Sequence, residues 1–490
     1  MMGKLLISGK FVPTRKQFTR RDPATGKILG YVAAAGKTEV DRAVGSAMEA
    51  FAAWKSIDVS DREKAILNFC DQLSKNSKDL SKLITMEVGK PLLEAELEIE
   101  EAIEFGRWFA SETRGYIGDE VIESNARERS FLSFEPLGVI GIIVPWNYPL
   151  GLSIWKIFPA LIAGNTIVLK PSELSSLVGL EIGKLFQKTG IPDGVVNVVT
   201  GSDRTGSCLV SSKAKMIAFT GSVETGRKVA STAGKNLKRV VLELSGNDPF
   251  IVCSDADLEE ASNGAVWGRF TNCGQVCVSA KRIYVVRDVA NQFISKVVEK
   301  ASLLKIGSGL DRSTDVGPLV DSRHRVKVEI YVKDAVKKGA KVLAGGKKTA
   351  NLGRGYFYLP TVLLNVDHTM RIMREELFGP VAPIMVVDSI DEAIDLANDS
   401  IYGLGASVWT SDVDEGIRIA RRLEAGMVWV NDVNVASPKC PWGGTKMSGI
   451  GRELSKYGIL ELVNMKQISA HKSGEPTRSW WFPYAVNARQ

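Results

Sequence analysis

The sequence predicts an α/β protein, and three observations support this fold class. Strand-like and helix-like segments alternate without interruption between residues 138 and 244. A second alternating region begins near residue 246, and helical periodicity fills residues 38–114 before either of them. Because uninterrupted alternation implies right-handed crossovers, we expect a parallel sheet covered on both faces, with ligands beyond the carboxyl ends of its strands.

The N-terminal part predicts a strand followed by a layer of helices. Four helical segments follow one another within residues 38–114, and we expect Thr38 and Ser60 to cap the first two of them. The next two segments cover residues 77–90 and 91–112. The stretch that follows changes to strand character before the first alternating region begins.

The alternating regions supply most of the predicted sheet. Predicted strands of the first are GVIGIIV, NTIVLK, VVNVVT, MIAFT and VVLELS, and its helices are LGLSIWKIFPALIAG, LSSLVGLEIGKLFQKTG, SCLVSS and TGRKVASTAG. The second region runs from FIVC and DLEEASNGAVWGRF to ASVWT and MVWVN, and we expect it to form a separate lobe. The tail, residues 465–490, begins with the strand MKQISAH and ends in aromatic residues that we expect to dock on a neighbour.

Length and charge narrow the class of protein. A chain of 490 residues is too long for one core, and at about 100–200 residues per domain we expect several compact units. The apolar fraction of 44% and the charged fraction of 24% are ordinary for a globular protein and exclude disorder. The net charge is +7, but the basic residues are scattered among 56 acidic ones, so no nucleic-acid or membrane surface is predicted.

The most apolar segment predicts buried structure rather than a membrane span. It runs over residues 137–163, and Pro145, Pro149, Lys156 and Pro159 interrupt it. The N-terminus reaches Gly, Lys and Pro before a secretory leader is complete, so we expect a cytoplasmic protein.

The cysteines pose the sharpest question in the sequence. Six cysteines are too sparse for a disulfide scaffold, and three distant histidines give no metal-binding pattern. Cys273 and Cys277 lie four apart around a Gly-Gln pair, and they would share one face if the stretch were helical. A zinc site lacks a second pair of ligands, and a disulfide there would be transient. From the residues alone, either cysteine could pack in the core or act as a nucleophile.

Four other polar residues lie at predicted strand ends or in rigid loops. Lys170 ends one strand and Glu173 follows it, an arrangement that suits a nucleotide ribose, or simply a capped helix. Glu243 ends an apolar strand, where burial would raise its pKa toward that of a general base, unless it points to solvent. Asn147 lies between two prolines and could donate to an oxyanion or form a structural turn.

A glycine turn after another strand favours a dinucleotide. Gly221 and Ser222 separate the strand MIAFT from a helix, and glycine lets the backbone approach a pyrophosphate at the helix N-terminus. The turn lacks the pattern GxGxxG, so an ordinary turn and cap is the alternative.

Seven motifs then converge on a known family. The motifs VPWNYP, VLKPSE, FTGSVETG, LELSGNDP, NCGQVC, EELFGPV and PWGGTKMSGIGRE follow one another in order. Over nearly the whole chain the sequence resembles the non-acylating, hydrolytic branch of the NAD(P)-dependent aldehyde dehydrogenase superfamily. The resemblance implies an aldehyde dehydrogenase-like fold with a Rossmann-type cofactor domain, an α/β catalytic domain and a small β oligomerisation domain.

The same resemblance implies domain boundaries and an assembly. It places the NAD(P)-binding domain at residues 1–119 and 138–244, the catalytic domain at 245–446, and the bridging segment at 120–137 and 465–490. It also implies a homodimer or homotetramer.

Three catalytic roles follow from the resemblance. Cys277 is the nucleophile that adds to an aldehyde, giving a thiohemiacetal and then a thioester. Glu243 is the general base, and Asn147 forms the oxyanion hole with the Cys277 backbone N–H. Cys273 is then a packing residue.

Further positions match the family's cofactor contacts. Lys170 and Glu173 match adenosine-ribose contacts, and a carboxylate at Glu173 favours NAD over NADP because it repels a 2′-phosphate. The remaining implied cofactor contacts are Val144, Pro145, Trp146, Phe219, Gly221, Ser222, Leu244, Glu376 and Phe378.

The implied substrate pocket is apolar and aromatic. Its expected lining is Tyr148, Leu152, Trp155, Val276, Val278 and Trp442. Semialdehyde-acid members of the family often have an arginine where this sequence has Trp155, so we expect a neutral aliphatic or aromatic aldehyde. A semialdehyde acid is the alternative, and an aromatic box could also hold a cationic tail.

Two departures from the family pattern keep other functions open. The usual ELGGK motif reads ELSGN, and Ser245 replaces a glycine whose backbone freedom could be needed there, while Asn247 replaces a lysine. Alternatives are a noncatalytic nucleotide-binding scaffold and a cofactor-free cysteine hydrolase. Acyl transfer to coenzyme A is disfavoured by Glu243. Cys440 is expected near the pocket rim.

Overall fold

The computed structural model describes residues 2–124, 128–349 and 352–471. Within these ranges the α/β prediction is confirmed, because two large sheets with parallel centres are flanked by helices. The described helices include none with both the length and the apolar character needed to cross a membrane.

The helices are given in chain order, with the bounds that the structure has: α1 (Lys37–Ser56), α2 (Val59–Val88), α3 (Leu92–Ile117), α4 (Gly151–Ile162), α5 (Ser176–Phe186), α6 (Asp203–Ser211), α7 (Val223–Gly234), α8 (Leu258–Phe270), α9 (Arg287–Leu303), α10 (Ser322–Lys337), α11 (Arg371–Arg374), α12 (Ile390–Asn398), α13 (Val413–Ala420) and α14 (Ser455–Leu460).

The strands, also in chain order, are β1 (Met2–Gly3), β2 (Leu5–Ile7), β3 (Lys10–Val12), β4 (Gln17–Arg21), β5 (Ile28–Ala33), β6 (Glu120–Ser124), β7 (Glu128–Pro136), β8 (Val139–Ile143), β9 (Thr166–Lys170), β10 (Val196–Val198), β11 (Met216–Thr220), β12 (Arg239–Glu243), β13 (Asp248–Val252), β14 (Ala280–Val286), β15 (Lys341–Ala344), β16 (Thr361–Leu364), β17 (Val381–Val387), β18 (Tyr402–Gly403), β19 (Gly405–Trp409), β20 (Met427–Val430), β21 (Thr445–Lys446), β22 (Gly449–Ile450) and β23 (Val463–His471).

The helical layer differs from the prediction at its caps. The expected caps Thr38 and Ser60 are wrong: α1 begins after Gly36, and α2 begins after Asp58, whose side chain accepts from the Ser60 N–H at 2.9 Å. The predicted third segment, 77–90, is the continuation of α2, which ends at Gly89 in the left-handed conformation. A Ser or Thr placed one or two residues inside a helix resembles a cap, and only geometry separates the two.

The first sheet has the order β22-β12-β11-β8-β9-β10-β2-β3. Its five central strands, β12 to β10 in that order, are parallel, as the alternation predicts. The N-terminal hairpin extends one edge in the antiparallel direction, and β22, from the far end of the chain, extends the other. Local alternation cannot reveal these edges, because their partners are distant in sequence.

The second sheet has the order β15-β16-β17-β14-β13-β19-β20 and is parallel except for β15. Each sheet has its own apolar core. Val276, Val278 and Trp442, which belong to the second half of the chain, pack into the core of the first sheet. The segment around Cys277 therefore lies where the two lobes meet.

A separate antiparallel sheet joins β6, β7 and β23, and it confirms the predicted strand in MKQISAH. The side chains of β6 and most of β23 are exposed. The predicted docking of the aromatic tail, Trp480 to Tyr484, lies outside the described residues. The predicted domain boundaries stay a prediction.

Candidate active site

The loop that carries Cys277 is a tight turn between α8 and β14. Asn272, Cys273 and Gly274 have φ values of 47°, 58° and 69°, so the chain reverses there in the left-handed region and is not a regular helix. A Cβ at Gly274 would lie 2.4 Å from the Gly379 carbonyl oxygen, so only glycine fits. Cys273 and Cys277 therefore do not share a helix face, and the turn sends them to different surroundings.

Arg269 fixes this loop from inside the protein. Its guanidinium, 1% exposed, donates to the carbonyls of Leu377 at 3.1 Å and Gly379 at 2.6 Å, and to Ser279 Oγ at 2.7 Å. No carboxylate pairs with Arg269 among the ion pairs of the described ranges. The side chain therefore binds the Cys277 loop to the segment that carries Glu376 and Phe378.

Asn147 lies against the same loop. Its Nδ2 donates to the Gln275 carbonyl at 3.0 Å, and its own carbonyl accepts from Asn272 Nδ2 at 3.0 Å. An amide nitrogen carries two N–H groups, so one is left for a ligand. In the described part of the chain, the Cys277 backbone N–H donates to no backbone acceptor. The second Asn147 N–H and the Cys277 backbone N–H are therefore candidates for the two donors that an oxyanion site requires.

The structure separates the two cysteines that sequence reasoning left equal. Cys277 lines a cavity, whereas Cys273 is 1% exposed and packs in the core of the second sheet. Burial raises the pKa of both thiols, and the Glu243 carboxylate raises the pKa of Cys277 further. A thiol of raised pKa needs a base to become a nucleophile.

Glu243 ends β12 and is 2% exposed. Its Oε2 accepts from Trp442 Nε1 at 3.1 Å, and its Oε1 has no partner among the described residues. Burial raises the pKa of Glu243 well above its usual value, and the Glu453 carboxylate adds to this effect. Glu453 is paired with Lys156, at 2.8 Å. Glu243 does not line the cavity itself but contacts it through Trp442.

One cavity of about 180 Å³ brings together Cys277 and all six predicted substrate contacts. Those contacts are Tyr148, Leu152, Trp155, Val276, Val278 and Trp442. Sequence reasoning missed the rest of the lining: Glu94, Leu97, Glu98, Glu101, Gly151, Trp267, Thr271, Asn434 and Ala436. Four of the missed residues follow the helical spacing of α3, a signal that could have identified one face of that helix but not what it faces.

A second cleft, of about 500 Å³, lies at the carboxyl ends of the parallel strands. Four predicted cofactor contacts line it: Trp146, Lys170, Glu173 and Ser222. Burial lowers the pKa of Lys170, whereas Glu173 acts in the opposite direction. Lining residues that sequence reasoning missed are Ser172, Leu174, Asp203, Arg323, His324 and Lys327. The last three come from α10, whose place could not be inferred from a motif.

Five other predicted cofactor contacts lie at or next to strand ends but do not line this cleft. They are Val144, Pro145, Phe219, Gly221 and Leu244. A Cβ at Gly221 would lie 2.6 Å from the Phe219 ring, so glycine is needed there for packing as well as for a turn. The Gly221 N–H donates to the Glu243 carbonyl at 2.9 Å, so this turn is linked directly to the backbone of Glu243.

Glu376 and Phe378 lie on the Cys277 side of the cleft. Glu376 Oε1 accepts from the Gly246 N–H at 3.0 Å and lies 3.5 Å from Lys281 Nζ. The Phe378 ring is 6.2 Å from the Trp146 ring, nearly perpendicular to it. Lys281 Nζ also donates to the Cys277 carbonyl, so Glu376, Lys281 and the cysteine loop form one connected group.

The two departures from the family motif have simple structural readings. Ser245 does not have a positive φ, so the expectation that this position needs the backbone freedom of glycine is wrong. The neighbouring Gly246 does need its lack of a side chain, since a Cβ would lie 2.6 Å from the Cys277 carbonyl oxygen. Asn247 Nδ2 donates to the Met373 carbonyl at 3.2 Å.

Cys440 is exposed and does not line the cavity, although Ala436 and Trp442 on either side of it do.

Comparison with known proteins gives consistent results. The sequence model of the Aldehyde dehydrogenase family matches residues 11–468. The betaine aldehyde dehydrogenase of Bacillus subtilis (strain 168) is 37% identical over 491 residues, which cover 98% of this chain and 100% of the relative. The glutarate-semialdehyde dehydrogenase of Pseudomonas putida is 40% identical over 453 residues, covering 91% of this chain and 93% of the relative.

Solved structures agree in fold. A crystal structure of betaine aldehyde dehydrogenase from Staphylococcus aureus in complex with NAD+ is 34% identical to this chain, with a TM-score of 0.93. The match covers 98% of this chain and 96% of the other.

Proposed function

The chain belongs to the aldehyde dehydrogenase family, and on that premise we propose that it oxidises an aldehyde to the carboxylic acid through Cys277, with NAD or NADP as hydride acceptor. The observation that carries this proposal is the cavity in which Cys277 meets an aromatic lining, with two N–H donors beside it and the Glu243 carboxylate next to it.

The first chemical step is addition of sulfur to the carbonyl carbon. Because the pKa of the Cys277 thiol is raised, its proton has to be removed as the C–S bond forms, and Glu243, whose own pKa is raised, is the group able to accept it. The free N–H of Asn147 and the Cys277 backbone N–H donate to the oxygen that becomes negative in the thiohemiacetal.

The cleft at the strand ends fits a dinucleotide. Ser222 caps α7, and the first N–H groups of that helix form the positive end of a dipole suited to a pyrophosphate. Lys170 and Glu173 line this cleft, which supports their proposed role as contacts to ribose hydroxyls, and a carboxylate at Glu173 favours NAD over a 2′-phosphorylated cofactor. When bound, NAD(P)+ supplies the acceptor for the hydride that leaves the thiohemiacetal carbon.

Release of the acid needs a water and a base. Glu243 first releases to solvent the proton that it took from Cys277. Water then adds to the Cys277 thioester as one of its protons passes to Glu243, and the C–S bond breaks to free the acid and the Cys277 thiolate. Return of that proton from Glu243 to the sulfur restores the thiol and the carboxylate. A base next to the nucleophile supports hydrolysis and disfavours transfer of the acyl group to coenzyme A. Product analysis with and without coenzyme A separates the two outcomes.

Family membership does not decide the charge of the substrate tail. By their names, the two relatives act on aldehydes of opposite charge: betaine aldehyde carries a cation and glutarate semialdehyde an anion. In this chain, no Lys or Arg is among the residues that line the described cavity, which argues against a semialdehyde acid. The tail is therefore neutral or cationic.

Assembly through the small sheet is part of the proposal. Val121, Ile122 and Met465 are more than half exposed on β6 and β23, and apolar side chains on an exposed sheet are typical of a subunit interface. We expect a homodimer or homotetramer, which light scattering after size-exclusion chromatography would measure. The cytoplasmic location stays a prediction.

An activity matrix tests the proposed function. Purified protein is mixed with aldehydes of neutral, cationic and anionic tail, each with NAD or NADP, and the absorbance of the reduced nicotinamide is followed. The proposal expects reduction of the cofactor and one equivalent of acid for each aldehyde. Absence of turnover with every pair would overturn it, and would favour a nucleotide-binding scaffold or a hydrolase.

A further inference from the structure

We propose that the substrate cavity is built for aldehydes with a cationic tail, an alkylammonium or trimethylammonium group, and that Glu101 is the carboxylate that faces the tail. The proposal rests on the proposed function and names its substrate class. The sequence predicts a neutral aldehyde and leaves a cationic tail open on the aromatic lining alone, and the acidic face of α3 now favours the cation.

Glu101 is a carboxylate in the cavity wall that has no hydrogen-bond or ion-pair partner among the described residues. It lies on α3 with Glu94, Leu97 and Glu98, which share its helix face and line the same cavity. The side chain is half-buried, and in the described part of the chain no N–H group and no cation binds it. A carboxylate withdrawn from water without a partner is unfavourable, and a cationic ligand would supply that partner.

The other two carboxylates of this face already have structural partners. Glu98 is paired with Lys90 at 2.5 Å, and its Oε1 accepts from the N–H groups of Leu150 and Gly151 at 2.9 and 3.0 Å. Glu94 accepts from the Asn272 N–H at 2.9 and 3.1 Å and so holds the cysteine loop. Glu101 alone is therefore available to a substrate, while the neighbouring Glu98 and Glu104 add to the negative potential around it.

Aromatic rings form the rest of a cation site. The Trp155 and Trp442 rings meet edge to face at 5.3 Å, and Tyr148 and Trp267 also line the cavity. The face of an indole attracts alkylammonium groups, and rings combined with one carboxylate suit a trimethylammonium that cannot donate a hydrogen bond. Trp155 Nε1 is buried and has no partner among the described residues, which hold this ring by packing rather than by a hydrogen bond.

The same lining disfavours an anionic tail. The nearest cation on this side, Lys90, is paired with Glu98, and its Nζ lies 3.5 Å from the centre of the Tyr148 ring. A carboxylate tail would meet Glu101 with no cation to pair with. A neutral tail would leave Glu101 buried and uncompensated.

The test uses substrate pairs that differ only in charge. Trimethylammonioacetaldehyde and 3,3-dimethylbutanal have the same shape, as do 4-trimethylammoniobutanal and 5,5-dimethylhexanal, and succinic semialdehyde is the anionic probe. For the pair whose chain length the enzyme turns over faster, we expect the wild-type kcat/KM to be about thirtyfold higher for the cation than for its neutral partner. A ring contact and one partly buried carboxylate together provide a preference of this size.

Three variants assign this preference to Glu101. Glu101→Gln should lower the cation-to-neutral ratio about tenfold. Glu101→Lys should raise kcat/KM for succinic semialdehyde. Glu104→Gln is the matched control, because Glu104 lies on the same helix but is exposed, so solvent screens its charge. It should lower the ratio by less than about twofold.

Each outcome has a definite reading. Equal or better turnover of the neutral partners by the wild type, or an unchanged ratio in Glu101→Gln, would overturn the proposal while leaving aldehyde oxidation intact. No turnover of any probe would instead contradict the proposed function. Because each ratio is measured within one variant, a partial loss of folded protein cancels.

Discussion

The indole Nε1 of Trp442 donates a 3.1 Å hydrogen bond to Glu243 Oε2, so a residue of the cavity wall holds the carboxylate of the proposed base. This bond lowers the pKa of Glu243, against the larger effects of burial and of Glu453. The state of the base and the shape of the cavity therefore depend on one side chain.

Replacing Trp442 by Phe should shift the acidic limb of the pH profile. Without the indole donor the pKa of Glu243 rises further, so with a neutral aldehyde the kcat/KM of W442F should reach its plateau at a higher pH than that of the wild type. Trp429→Phe is the control, because Trp429 Nε1 donates to the Val435 carbonyl instead. A reduced plateau with an unmoved limb would mean that the hydrogen bond has no effect on the base.

Glu101 should make substrate preference depend on pH. Burial raises the pKa of Glu101 to about 7, with Glu98 and Glu104 acting in the same direction and Lys90 in the opposite one. Only the ionised carboxylate attracts a cation, so the cation-to-neutral ratio of kcat/KM should fall as the pH is lowered through this value. The ratio removes effects common to both substrates, such as ionisation of Cys277 and Glu243. Glu94 lines the same cavity and burial raises its pKa to about 7 as well, so it adds a smaller slope of its own. A flat ratio between about pH 6 and pH 8 in the wild type, or a slope in Glu101→Gln as steep as in the wild type, would argue against this role.

Arg269 should matter for stability more than any surface arginine. Arg269→Met removes donors from buried carbonyls of Leu377 and Gly379 and from Ser279, so the free energy of unfolding should fall by about 3 kcal/mol. Arg312→Met removes an exposed pair with Glu96 and should change it by less than about 1 kcal/mol. Chemical denaturation measures both. Equal effects of the two substitutions would contradict the positioning role of Arg269.

Ser245→Gly should have little effect on catalysis. The backbone at Ser245 has no positive φ, so restoring the glycine typical of the family relieves no strain. We expect kcat to change by less than about threefold, since the Ser245 side chain makes no hydrogen bond to the residues that the structure describes. A large gain in kcat from this substitution would show that the serine impairs the site, as its departure from the family motif suggested.

Local sequence patterns predicted the parallel centre of the first sheet, because its strands and helices follow one another in the chain. They could not predict its edge strand β22, which pairs with β12 from about two hundred residues away. Motifs placed the polar residues at strand ends, and the resemblance selected Cys277 over Cys273. Glu101 was missed because its helix carries no motif, and only tertiary packing shows that its face meets the cysteine loop. The prediction that position 245 needs a glycine was wrong for a similar reason, since the type of a residue does not reveal the backbone φ at its position.

Aldehyde-dependent cofactor reduction in two single-cysteine variants tests the central claim most directly. Cys277→Ala should abolish it, because Cys277 is the only thiol among the described residues that line the cavity. Cys273→Ala, a change in the core, should keep most of the kcat of the folded protein. Circular dichroism would establish that both variants fold. Activity retained by Cys277→Ala, or lost in a folded Cys273→Ala, would contradict the assignment of Cys277 as the nucleophile.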